Sequence, residues 1–328
     1  MATLAEIKAA RDLIRPFIHR TPLLHSGALS EITGADVELY GETFQEALDH
    51  ALTLADYTFV HAYDDEQVIT GQGTLCLEIA EELDCVDAVV VPVGGGGLIA
   101  GCAVAIKEIL PGTRVIGVQA KAAPSAFLSF KEGVPVSADP HHTLADGIAV
   151  GRVGEKTLPL IKKYVDDILT VGEDAIAMAM LLFMEQSKLM VEGAGASPLA
   201  ALIEHKERFR KRRVVLIASG GNIDLTLIDR IIYKGLLTSG RVVVFEVTAE
   251  DVPGSLETLT GIIAAHRANI LNVVHDRLLP DLPIGKTRVI FIVETRGPAH
   301  LDEIIAEIGA RGYEVKKRVA SEKNAMAT

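Results

Sequence analysis

Residues 91–101 read Val-Pro-Val-Gly-Gly-Gly-Gly-Leu-Ile-Ala-Gly, and no other run restricts the fold as sharply. The wider stretch Ala88–Ile106 carries no charge and is long enough to cross a bilayer. Pro92 and the four consecutive glycines would break a single helix there. A buried strand, a loop and a new helix account for the segment instead. Backbone N–H groups in such a loop can approach an anion closely, and the helix N-terminus adds a favourable dipole. Two nucleotide readings fail. Gly95, Gly97 and Ala100 formally satisfy G-x-G-x-x-A, but the next strand ends at Val118-Gln119 without the expected ribose-binding acid. No Gly-Lys-Ser/Thr follows, as a P-loop requires. A plain tight turn rarely needs four glycines, so Gly94–Gly97 is expected to hold a phosphate.

The rest of the first 240 residues repeats this texture. Strand-like runs at Ala88–Val93, Arg114–Val118 and Val214–Ala218 are separated by helical patterns at Leu98–Leu110, Glu173–Leu189, Pro198–His205 and Asp224–Leu237. Ser197 reads as the N-cap of the third of these, with Pro198 at its first position. Thr3 and Glu6 have capping-box spacing at the head of an opening helix, roughly Leu4–Phe17. A further amphipathic helix is expected over Thr43–Ala55. Continuous apolar strands alternating with helices predict an α/β fold whose parallel sheet is covered on both faces. After Ser239-Gly240 the order becomes βαββαβ, a ferredoxin-like unit. Its strands are expected at Arg241–Val247, Asn269–His275, Thr287–Glu294 and Tyr313–Lys317, with helices at Ser255–His266 and around Leu301–Ile308. The domains are therefore expected at 1–240 and 241–328.

A length of 328 residues fits two domains, and 49% hydrophobic residues suffice for full cores. The net charge of −12 argues against nucleic acid or an anionic membrane as the main partner. The basic run Arg208–Arg213 reads as a solvated helix end. Cys76, Cys85 and Cys102 have neither paired nor metal-like spacing, which predicts buried thiols in a reducing compartment. The charged first helix pattern contains no signal-peptide core, so the cytoplasm is the expected location.

A second loop, Ser219-Gly220-Gly221-Asn222, follows the strand at Val214–Ala218. A hydroxyl there stands where ligands bind in parallel sheets, and the same residues serve equally well as a helix cap. Together with Arg20-Thr21-Pro22-Leu23, Gly71-Gln72-Gly73-Thr74, Ala145–Val150 and Glu192-Gly193-Ala194-Gly195, the two loops make the chain resemble the threonine ammonia-lyase (threonine dehydratase) family. This family has the tryptophan-synthase-β-like, fold-type II architecture and uses pyridoxal 5'-phosphate. The resemblance covers nearly all of residues 1–240. It implies that Gly94, Gly95, Gly96, Gly97 and Leu98 hold the cofactor phosphate, that Ser219 contacts the pyridine nitrogen, and that Gly147 and Glu192 lie near the ring. A neutral hydroxyl on that nitrogen makes the cofactor a weaker electron sink than a carboxylate would, favouring prompt β-elimination. The implied reaction converts L-threonine to 2-oxobutanoate and ammonia, with serine dehydration or racemisation as related alternatives. The C-terminal unit resembles an ACT module through Asp251-Val252-Pro253-Gly254-Ser255-Leu256 and Ala268-Asn269-Ile270-Leu271. That resemblance implies an amino-acid effector, isoleucine or valine, held by Asp251, Pro253, Gly254, Ser255 and Leu256. It also implies feedback control within isoleucine biosynthesis. A four-stranded unit with open edges, and a strand at Thr287–Glu294 that is apolar on both faces, is expected to dock against a second copy or against the body, which predicts a homo-oligomer.

One family element has no counterpart. The Schiff-base lysine of the family lies in Ser-Phe-Lys-x-Arg-Gly-Ala, followed by an Asn-His glycine loop. Both fall between segments matching Gly34–Val37 and Glu38–Gly41, which are joined directly here, so the small domain is truncated between 37 and 38. Ser129-Phe130-Lys131 is no substitute, because Gly133 and Pro135 follow at once. No catalytic lysine is therefore assigned, and an inactive amino-acid-binding relative is the alternative to an active lyase. No metal is expected either, since Gln119, Ala123 and Ser125 occupy the positions where some relatives would place ligands.

Overall fold

The computed structural model describes residues 3–14, 53, 59–277, 279–280 and 282–318. The expected helix at Thr43–Ala55 lies, but for Thr53, outside these residues. The chain divides into two compact units, Met1–Ile223 and Asp224–Thr328.

The first unit opens with α1 (Leu4–Ile14), capped as the Thr3/Glu6 spacing predicts: Thr3 N donates to Glu6 Oε2 at 2.8 Å and Glu6 N to Thr3 Oγ1 at 3.4 Å. Helices α2 (Glu66–Gln72) and α3 (Thr74–Glu82), which the sequence patterning missed, precede β1 (Ala88–Pro92). All five β1 residues are buried, as a central parallel strand requires. The apolar stretch Ala88–Ile106 accordingly splits into β1, the glycine loop and α4 (Gly97–Ile109). Beyond α4 come β2 (Arg114–Ala120), α5 (Ser125–Glu132), a 3₁₀ turn at Asp146–Ile148, α6 (Thr157–Tyr164) and β3 (Asp167–Val171). Helices α7 (Glu173–Leu182), α8 (Gly193–Glu204) and α9 (Lys206–Phe209) return the chain to β4 (Val214–Leu216).

The sheet is wholly parallel, in the order β3-β2-β1-β4. From β1 the chain builds outward through β2 and β3, then crosses back to place β4 on the other side of β1. The reversal puts a topological switch point between β1 and β4, and ligands bind outside the carboxyl ends of strands at such points.

Three sequence expectations are corrected. The helix at Glu173–Leu189 stops at Leu182, passes into a π-helical turn at Phe183–Ser187, and ends on Lys188 with φ 57°. The helix expected to begin at Pro198 begins at Gly193 instead. Proline inside a helix leaves the carbonyl four residues back without its usual donor. Here the buried Ser197 hydroxyl donates to that carbonyl, Ala194 O, at 2.8 Å, so the helix runs through. Cys85 is exposed, whereas Cys76 and Cys102 are buried as expected.

The second unit begins with α10 (Leu225–Thr238), capped by Asp224, whose carboxylate accepts from Thr226 N at 2.8 Å. The division thus falls at 223/224 and not near 240, because α10 clusters with the C-terminal unit. After it come β5 (Val242–Glu250), α11 (Ser255–Ala265), β6 (Asn269–Asp276), β7 (Lys286–Glu294), α12 (Pro298–Ala310) and β8 (Glu314–Arg318). The antiparallel order β6-β7-β5-β8 completes the βαββαβ unit read from the sequence. Val289, Phe291 and Val293 of β7 are buried with Leu259, Ile263 and Ile304 of the two helices, while Ile290 and Ile292 face the other side half-buried.

Candidate functional site

β1 delivers its carboxyl end into Gly94–Gly97, and α4 starts on the last of these glycines. Gly96 has φ 100°, a left-handed conformation that a side chain would strain. A Cβ on Gly97 would lie 2.9 Å from Tyr63 O, and one on Gly95 would run into the Tyr63 ring. The 61–64 segment therefore crosses directly over the loop, and glycine is required there for close approach as well as for the turn. Among the described residues, none of the N–H groups of Gly94, Gly95, Gly96, Gly97 and Leu98 donates to a protein acceptor. Gly95, Gly96 and Gly97 are buried. Buried N–H groups are rarely left unpaired, and a row of them at a helix N-terminus suits an anion. A cofactor phosphate fits this loop.

The carbonyl side of the loop is held in place. Gly95 O accepts from Gly154 N at 3.0 Å and from the buried Thr157 hydroxyl at 2.8 Å. Thr157 starts α6, which has no local side-chain cap. Asp64 supplies one from far along the chain, accepting from Glu155 N at 3.1 Å, Lys156 N at 2.8 Å and Thr157 N at 3.2 Å. Sequence reasoning missed both residues. An Asp before the helix of residues 66–72 reads as its cap, and Asp65 alone fills that role.

β4 leads to Ser219 and to Gly220, which has φ 88°. Glu192, the N-cap of α8, lies against this second loop and accepts from Asn222 N at 2.9 Å. Its carboxylate fills the space beside Gly220, and a Cβ on Gly147 would lie 3.0 Å from Glu192 Oε1. Burial raises the Glu192 pKa, and the nearby Asp146 charge adds to the shift although the Asn222 N–H opposes it.

A cavity of about 450 Å³ joins the two loops. Gly94, Gly95, Gly96, Gly97 and Leu98 of the first loop, Ser219 and Gly220 of the second, and Gly147 and Glu192 all line it. Every residue the sequence pointed to for cofactor binding lines this one cavity, and Tyr63 and Gln72 join them. No lysine lines it among the described residues. The sequence has none between Lys8 and Lys107. Lys131 stands on α5 with its ammonium 4.1 Å from the Phe127 ring centre, and Lys107 pairs with Asp166 at 2.7 Å.

In the second unit, Asp251, Pro253, Gly254, Ser255 and Leu256 line a separate cavity of about 300 Å³ with His275 and Arg277. Gly254 has φ 94° and caps α11, and Asp251 pairs with Arg277 at 3.0 Å. Gln119 is buried and accepts from Ala126 N and Phe127 N, both at 3.0 Å, a structural role. No helix among the described residues is long and apolar enough to cross a membrane.

The profile of the family "Pyridoxal-phosphate dependent enzyme" matches residues 25–220. The chain is 46% identical over 296 residues to the L-threonine ammonia-lyase of Thermotoga maritima, a match spanning 88% of this chain and 74% of that one. Among solved structures, a threonine deaminase from T.th. superposes with a TM-score of 0.56 at 34% identity, over 68% of this chain and 99% of that chain. A serine racemase from Dictyostelium discoideum gives 0.59 at 26% identity, over 68% and 99% of the two chains.

Proposed function

As the chain belongs to the family of pyridoxal-phosphate dependent enzymes, we propose that its cleft is a cofactor site of the threonine ammonia-lyase kind, kept without the lysine that would carry the cofactor covalently. The observation that carries the reading is the row of N–H groups at Gly94–Leu98 that find no acceptor among the described residues, lining one cavity with Ser219. When bound, pyridoxal phosphate supplies an electron sink for bond cleavage at the α-carbon of an amino acid. The loop N–H groups and the α4 dipole would hold the phosphate. Ser219 would offer a neutral hydroxyl to the pyridine nitrogen, and Glu192 and Gly147 would stand near the ring. In the threonine ammonia-lyase reaction L-threonine yields 2-oxobutanoate and ammonia, and a lysine provides both the covalent link and the proton relay. No lysine among the described residues stands at the cleft, so the chain binds the cofactor weakly through its phosphate and does not turn threonine over.

The C-terminal unit is read as an ACT-type sensor in a cytoplasmic homo-oligomer, taking isoleucine or valine at Asp251–Leu256. Its strand order and the cavity at that loop support this reading.

The test is a titration with pyridoxal phosphate followed by borohydride reduction, peptide mapping and an assay for 2-oxobutanoate. The expected result is saturable, dialysable binding with no reduced lysine and no product. A reducible adduct on one specific lysine, with turnover, would defeat the proposal, and Lys131 is the first position to map.

A further inference from the structure

We infer that Thr157 and Asp64 are positioning residues that set the phosphate loop of the cleft, an inference that rests on the phosphate reading above. A peptide unit is planar and trans, so fixing the Gly95 carbonyl also fixes the Gly96 N–H, which points the opposite way. The carbonyl is fixed by two donors, Gly154 N at 3.0 Å and the Thr157 hydroxyl at 2.8 Å. The Gly96 N–H therefore faces away from Thr157, on a side where no described protein group accepts it. Gly96 has no side chain of its own to stiffen this peptide, and its φ of 100° is held from outside. Thr157 is held in turn. Its N–H and those of Glu155 and Lys156 converge on the Asp64 carboxylate at 2.8–3.2 Å. Gly154 is glycine because Asp64 and Thr157 fill the space a side chain would need. The chain of contacts runs Asp64 carboxylate, first turn of α6, Thr157 hydroxyl, Gly95 carbonyl, Gly96 N–H. Only its last member is placed to touch a ligand. Asp64 and Thr157 act through the loop.

The experiment uses the full chain and measures the affinity of inorganic phosphate, pyridoxal phosphate and unphosphorylated pyridoxal by calorimetry. Thr157→Val removes the hydroxyl at nearly constant shape. It is expected to weaken both phosphate ligands about tenfold, the scale of one hydrogen bond to a charged group, while leaving pyridoxal unchanged. Thr157→Ser, which restores the hydroxyl, is expected to recover phosphate affinity. Asp64→Asn keeps one acceptor oxygen and is expected to shift affinity in the same direction by less. A purely structural role would lower the melting temperature without changing the ratio of phosphate to pyridoxal affinity. Thr157→Val binding phosphate as tightly as the wild type would overturn the inference while leaving the cleft reading intact. A wild type that binds no phosphate would overturn both. If Thr157→Val does not fold, the affinity ratio in Asp64→Asn decides.

Discussion

Glu192 stands where the Gly147 and Gly220 backbones close together, and its carboxyl titrates above the usual glutamate value near 4.5 because of burial. A raised carboxyl pKa means that the folded protein keeps the proton to higher pH than the unfolded chain does. The stability this group contributes is therefore full below the usual glutamate value and is lost as pH rises through the folded value. Glu192→Gln removes the titration and keeps an oxygen for Asn222 N. The variant should melt above the wild type at pH 7 and level with it at pH 4, as read by calorimetry at both values. A difference that does not change with pH would show that burial does not govern this carboxyl. The two loops facing the cavity were legible beforehand because glycines and a serine after apolar strands are local signals, whereas Gly147 and Glu192 came only with the family resemblance. Asp64 and Thr157 were not legible. The contacts that tie them to the glycine loop span between 62 and 93 residues along the chain, and a threonine at a helix start looks the same whether or not it reaches a glycine loop.

The close approach of α2 and α4 turns on Gly73 and Gly101, whereas Gly71, two residues from the first of these, behaves in the opposite way. A Cβ on Gly101 would lie 2.6 Å from Gly73 N, and one on Gly73 would lie 2.9 Å from Gly101 O. Gly101→Ala should therefore destabilise by about 1–3 kcal/mol through overpacking. Among the described residues, nothing lies within 4 Å of a would-be Cβ on Gly71, inside α2. Gly71→Ala should stabilise by about 0.5–1 kcal/mol through helix propensity. Urea unfolding of the two variants side by side checks the contrast, and equal effects would show that the close approach carries no strain. Ser197→Ala should cost about 1–3 kcal/mol by leaving the buried Ala194 carbonyl unpaired. That prediction also explains a misread boundary. Ser-Pro normally signals a helix start, and here the serine hydroxyl stands in for the proline's missing donor inside α8. Helices with weaker caps and short apolar faces, such as α5 and α6, gave no comparable signal.

At the scale of the whole chain, the alternation of buried strands with helices gave away the parallel sheet. The βαββαβ order of the second unit was likewise readable from spacing alone. The position of α10 was not, since an amphipathic helix between two units carries no mark of which core it joins. The second unit offers the remaining test. Its 300 Å³ cavity sets the Gly254 turn and the first turn of α11 beside the paired Asp251 and Arg277, with His275 on the same wall. An amino acid presents a carboxylate to suit the helix N-terminus and an ammonium to suit Asp251. An aliphatic side chain would meet Val289 and Leu256, which also line the cavity. A ligand that binds only the folded unit stabilises it by RT ln(1 + [L]/Kd), about 2.7 kcal/mol at a hundredfold excess over Kd. Isoleucine or valine at millimolar concentration should therefore raise the melting transition of the full chain progressively, and glycine should not. Asp251→Ala should abolish the shift without removing the transition itself. If every amino acid leaves the transition where it was, the cavity at Asp251–Leu256 is a turn and a cap and not a sensor.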